Sequence, residues 1–160
     1  MVVDKNQAII DFLMGCPLIA ENPVYFNFAQ AKDNSKSIVT VATDKAIDRS
    51  FIDGSVKKRY NFTIIDFKSV IDQALPTIPG YTSENVADVF DVQSIIDWID
   101  EQNDSRNYPE FGENCLVEEM RTTTDNPNLN GVDSNQKPNL AKYSITIQVD
   151  YIDTSKRIWS

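Results

Sequence analysis

The chain has 160 residues, 41% of them hydrophobic and 24% charged, which supplies apolar material for one compact core and too little length for two ordinary domains. Its 15 Lys plus Arg against 24 Asp plus Glu leave a net charge of −9, the wrong sign for a protein that gains affinity by neutralising phosphates. Histidine is absent, which removes the commonest general base and the commonest metal ligand.

In chain order, Ile9, Ile10, Leu13 and Met14 recur at helical spacing and predict a short amphipathic helix over residues 4–14, capped by Asp4 or Asn6 and stopped by Gly15 and Pro17. Val24, Phe26 and Phe28 then alternate with Tyr25, Asn27 and Ala29, the period of a strand with one covered face. Residues 37–43 repeat that pattern in β-branched side chains, and the polar stretch Asp33-Asn34-Ser35-Lys36 between them predicts an antiparallel hairpin. Asp53-Gly54 is a turn signal before a longer strand over 56–69. In that strand Tyr60, Phe62 and Ile64 share one parity while Ile65 and Phe67 take the other, so a twist, a bulge or a doubly covered stretch is expected midway.

Pro76, Pro79 and Gly80 make 75–83 a loop. Val92, Ile95, Ile96 and Ile99 then give the apolar stripe of a second helix, widened by Trp98, with Asp91, Asp97, Asp100 and Glu101 toward solvent and an end near Asn107, before Pro109. Two final strands are expected over 115–123 and 142–153. In the last, Tyr143, Ile145, Ile147, Val149 and Tyr151 share the buried face. Between them, 124–141 reads as a long polar loop carrying Asn130-Gly131 and two prolines, either mobile or an arm that orders on a partner. The expected fold is therefore α+β, an antiparallel or mixed sheet of about five strands with two helices packed on one face. It is one domain over 1–160 with long loops at about 75–83 and 124–141.

Few residues invite chemistry. Asp97, Asp100 and Glu101 share a helix face and suit magnesium in principle, but no phosphate-cradling loop accompanies them, and a solvated face explains them better. Cys16 and Cys115 belong to no metal or redox pattern and read as free buried thiols. Leu13-Met14-Gly15-Cys16 has the form of a lipoprotein processing box, yet Asp4 and Asp11 spoil the basic start and apolar run that a signal segment needs. No stretch is apolar for long enough to cross a bilayer, so a soluble protein is expected. The glycosylation-type triplets at Asn61 and Asn103 read as chance. Lys57-Lys58-Arg59 is the one dense basic cluster, either an exposed strand entrance or a contact with an acidic patch of a neighbouring subunit. Trp159, beside Ile158, either closes the core or anchors on a partner.

Ile9-Ile10-Asp11-Phe12-Leu13, Cys16-Pro17, Lys57-Lys58-Arg59-Tyr60 and Asp97-Trp98-Ile99-Asp100-Glu101-Gln102-Asn103 with Pro109 beyond form an arrangement that spans nearly the whole chain. It resembles the tail terminator or minor capsid proteins of long-tailed bacteriophages of Gram-positive bacteria. The Trp98 helix, its Gln102-Asn103 exit and Pro109 are the most specific piece.

The resemblance implies a non-enzymatic virion protein without cofactors. It would be a hexameric ring at the tail–neck junction, assembled in the host cytoplasm, that caps the tail tube while DNA passes through without specific binding. Implied partners are further copies of the chain, the tail tube protein, a neck (stopper) protein and, in a contractile tail, the sheath protein. Head-to-tail subunits need two complementary patches, expected at 46–59 and 124–141. The candidate interface residues are Lys57, Lys58, Arg59, Asn130, Gly131 and Trp159. Acidic copies around a channel would keep DNA off the wall. Another head–tail joining or tail-completion protein is the alternative, then a small acidic binding or inhibitory module.

Overall fold

The computed structural model describes residues 4–21, 23–27, 35–41, 49–70, 84–123, 128–133 and 139–155. Its elements are α1 (Lys5–Leu13), α2 (Pro17–Ala20), β1 (Val24–Phe26), β2 (Lys36–Val41), β3 (Arg49–Ser50), β4 (Val56–Val70), α3 (Glu84–Asp104), β5 (Cys115–Thr122), β6 (Asn128–Asp133) and β7 (Asn139–Asp153). The α+β class holds. The sheet runs β1-β2-β4-β7-β5, with β3 added beside β4 and β6 beside β7.

Local chemistry accounts for the first turns. Asp4 accepts a hydrogen bond from Asn6 N at 2.9 Å and caps α1. Pro17 opens α2 at the one helical position where its missing N–H costs nothing, so the chain breaks at Gly15 and restarts at once. This short second helix was not expected. Gly15 is close-packed, because a Cβ there would lie 3.2 Å from Phe12 O and 3.7 Å from the Trp98 ring.

The two long helices cover one face of the sheet. The Phe12 and Trp98 rings meet at 5.2 Å, joining α1 to α3. The predicted stripe of α3 is buried, with Val92, Ile95, Ile96 and Ile99 at 0–1% exposure. It packs with Ile9 and Leu13 of α1 against Phe62 and Ile64 of β4 and Ile145, Ile147 and Val149 of β7. Each such aliphatic side chain contributes about 1.5–3 kcal/mol on leaving water. β4 and β7 pair in unbroken antiparallel register from Val56↔Asp153 to Val70↔Asn139. No bulge interrupts that pairing, and the change of parity in β4 is instead a doubly covered end where Asp66, Phe67 and Lys68 are all buried.

Two expectations are corrected. β1 and β2 are parallel, not an antiparallel hairpin, with Val24 opposite Lys36 and Phe26 opposite Ile38. Lys36 N donates to Pro23 O at 2.9 Å and Asn27 N to Ile38 O at 2.8 Å, so Lys36, read as turn, opens a strand. The span 124–141 is not one loop either, since β6 (128–133) pairs with β7 and β7 itself begins at Asn139. Asn130-Gly131 looked like a turn but sits where the register shifts between Leu129 and Gly131, a bulge that takes up one extra residue. The expected loop at 75–83 and Trp159 lie outside the described residues.

Candidate functional site

Three places carry the polar chemistry of the described residues: the start of β4, the far end of β4, and the edge of the sheet at β5. At the start of β4 the basic cluster is met by acids of the same chain. Arg59 Nε donates to Asp150 Oδ1 at 2.7 Å, and these two residues face each other across the β4–β7 ladder. Lys58 Nζ lies 3.0 Å from Asp153 Oδ2, and Lys57 Nζ 3.8 Å from Glu118. Burial raises the Asp153 carboxyl, but hydrogen bonds from Ser155 and Lys58 outweigh it and hold the group down at about 2. The pairing also explains why Asp150, expected on the polar face of β7, is only 6% exposed.

At the far end, Lys36 and Asp66 stand directly opposite each other on β2 and β4. Their side chains are each 1% exposed, with Lys36 Nζ 3.0 Å from Asp66 Oδ1. That approach is off the hydrogen-bonding direction, so neither oxygen of Asp66 has a well-directed hydrogen bond. Lys68, two residues along the same face, is buried and lies 3.8 Å from Asp91 of α3. Asp91 is thus tied to the sheet instead of simply facing solvent. Burial lifts the Asp66 carboxyl above its usual range despite Lys36 and Lys68, and burial lowers the Lys36 amine despite Asp66. Sequence reasoning missed this group, because residues 30 positions apart acquire meaning only once β2 and β4 pair.

The edge strand β5 is held by the segment that carries the resemblance. α3 ends in a reverse turn in which Arg106 N donates to Asn103 O and Asn107 N to Gln102 O. Arg106 takes the left-handed φ of 55° usually left to glycine. Asn107 Nδ2 also donates to Gln102 Oε1 at 2.6 Å. That turn aims Asn103 and Tyr108 at β5. Asn103 Oδ1 accepts from Met120 N at 2.9 Å, and the Tyr108 hydroxyl donates to Glu118 O at 3.1 Å. The two contacts engage main-chain groups of β5 beside the bulge at Val117/Glu119. They blunt the middle of an open edge.

Beside this clamp, a cleft of about 470 Å³ is lined by Arg106, Tyr108, Glu110, Phe111, Glu113 and Leu116, among others. Leu116 is 62% exposed, and Leu129 of β6, on the same side of β7, is 52% exposed. Asn130 and Gly131 lie in β6 on that side. The structure therefore separates the candidate interface residues. Lys57, Lys58 and Arg59 belong to the interior ladder, and Asn130 and Gly131 to the edge. Cys16 and Cys115 are free, Cys16 buried and Cys115 half-buried. Among the described residues no group of three or more Cys, Asp or Glu side chains is arranged to share a metal ion, and no helix is long and apolar enough to cross a membrane.

Neither a known protein family nor any curated protein matches the sequence.

Proposed function

We propose that the chain is a structural virion protein, a tail terminator that assembles into a hexameric ring, caps the tail tube and joins it to the neck while DNA passes. The observation that carries this reading is the pair of unlike sheet edges. β1 ends the sheet on one side, and β5 with β6 lines the other, with Leu116 and Leu129 exposed there. A head-to-tail ring needs two different patches on each subunit, and two chemically different sheet edges supply them. The net charge of −9 fits a collar that DNA must traverse without sticking. The fit of the Trp98–Pro109 segment as a clamp on β5 gives the resembling residues a common structural purpose.

Partners in this reading are further copies of the chain, the tail tube protein and a neck protein. Site-specific crosslinking from Leu116 in purified virions tests it. Adducts to a second copy and to the tube protein are expected, whereas virions that lack the chain would overturn the proposal. Adducts to neck proteins alone would favour the alternative of a neck or tail-completion protein.

A further inference from the structure

The buried pair at the far end of β4 has an arrangement that goes beyond charge neutralisation. Lys36 Nζ and the Asp66 carboxyl are 3.0 Å apart, both 1% exposed, on directly opposed residues of adjacent antiparallel strands. Water is excluded from both, and neither carboxylate oxygen is occupied by a well-directed hydrogen bond. From this geometry we infer that Lys36 and Asp66 join spontaneously in an intramolecular amide (isopeptide) bond that ties β2 to β4. The inference does not rest on the assembly reading.

The chemistry requires a free amine, a protonated carboxyl and little competing water. Apolar neighbours supply the last condition: Ile38 on β2, Ile64 on β4 and Tyr143, which faces Asp66 from β7, are all buried. Burial drives the first two, since it penalises both charged forms and favours passage of one proton from the ammonium to the carboxylate. The amine nitrogen then attacks Cγ of Asp66 and forms the N–C bond. A second proton from the same nitrogen leaves with the departing hydroxyl as water, and the Cγ–O bond breaks. One amide and one water result, with no oxidant, reductant or activating group. Lys68, held on the same face by Asp91, places positive charge beside Asp66, where the oxyanion of the intermediate forms. The product removes two buried charges, which explains how this end of the sheet tolerates them.

Intact mass of the denatured, reduced full-length chain decides the matter. The chain is expected to be lighter than its sequence by the mass of one water molecule, and proteolysis should release a branched peptide linking the Lys36 and Asp66 segments, with no cleavage after Lys36. Lys36→Arg, which keeps the positive charge but offers no comparable nucleophile, should show the full mass. A wild-type chain at full mass overturns the inference, whether or not the variant folds. A water loss that maps instead to Asp53-Gly54, where an aspartyl–glycine step can form a cyclic imide, overturns it equally.

Discussion

The two ends of β4 carry similar charges and are built on opposite principles. At Lys57-Lys58-Arg59 three cations stand next to one another, remain partly solvated, and meet Asp153 and Asp150 on the adjacent β7 and Glu118 on β5 beyond it. Near Asp66 and Lys68 the charges are sealed from water and face Lys36 across the ladder. The Lys57 and Lys58 pairs gain little, because solvent already stabilises the separated ions, and only Arg59 meets a mostly buried acid. At the second end desolvation has to be offset by protein groups, the opposed partner together with Lys68 and Asp91. A run of charge conspicuous in sequence is thus the energetically quieter one, and the scattered charges are those on which the packing of β2 depends.

Breaking the buried pair should have the largest effect. Lys36→Met takes the nearest cation from buried Asp66, or the amide inferred above, and leaves only Lys68 beside it, so it is expected to cost about 3–5 kcal/mol in denaturant unfolding. A loss below about 1 kcal/mol would erase the distinction between the two ends. Arg59→Ala removes two contacts to the mostly buried Asp150 and should cost about 1–2 kcal/mol by the same measurement. A neutral contact away from β4 sets the scale: Asn103→Ala strips the acceptor from Met120 N and should cost about 1 kcal/mol, with faster amide exchange at Met120.

The solvated end should also respond to acid. The folded Asp153 carboxyl is held at about 2, below the ordinary value of 3.8, so its stabilisation is present above 3.8 and lost as the pH falls toward 2. After allowance for solvent screening, Asp153→Asn should cost at most about 1 kcal/mol at neutral pH. Thermal melts of variant and wild type should converge over that acid window, and a gap that stayed constant would show that the pairing is not electrostatic. Lys57→Ala, whose contact is the longest at 3.8 Å, should change stability by less than about 0.5 kcal/mol.

Much of the fold was legible because its signals are local. Val92, Ile95, Ile96 and Ile99 specify a helix with one buried face, and the alternation from Tyr143 to Tyr151 specifies a half-buried strand. What escaped depends on partners distant in the chain. Ser35-Lys36 reads as a polar turn until Asp66 stands opposite, and both residues are then buried. β1 reads as half of a hairpin, but Asn27 turns out of the strand at φ 49° and its side chain accepts from Thr40 N, which holds the parallel pairing. Asn130-Gly131 carries the chemistry of a turn, yet it sits at a register shift within a paired strand. The clamp on β5 was half legible: Gln102-Asn103 and Pro109 stood out as a motif, but their target, the outer edge of β5, is a property of the assembled sheet.

The mass of the native assembly tests the central functional proposal most directly. Purified full-length chain, measured by native mass spectrometry across a range of concentrations, is expected to give a closed hexamer of the 18.1 kDa subunit that disperses when Leu116 is changed to Asp. A chain that stays monomeric at every concentration, alone and with the tail tube protein added, would contradict it.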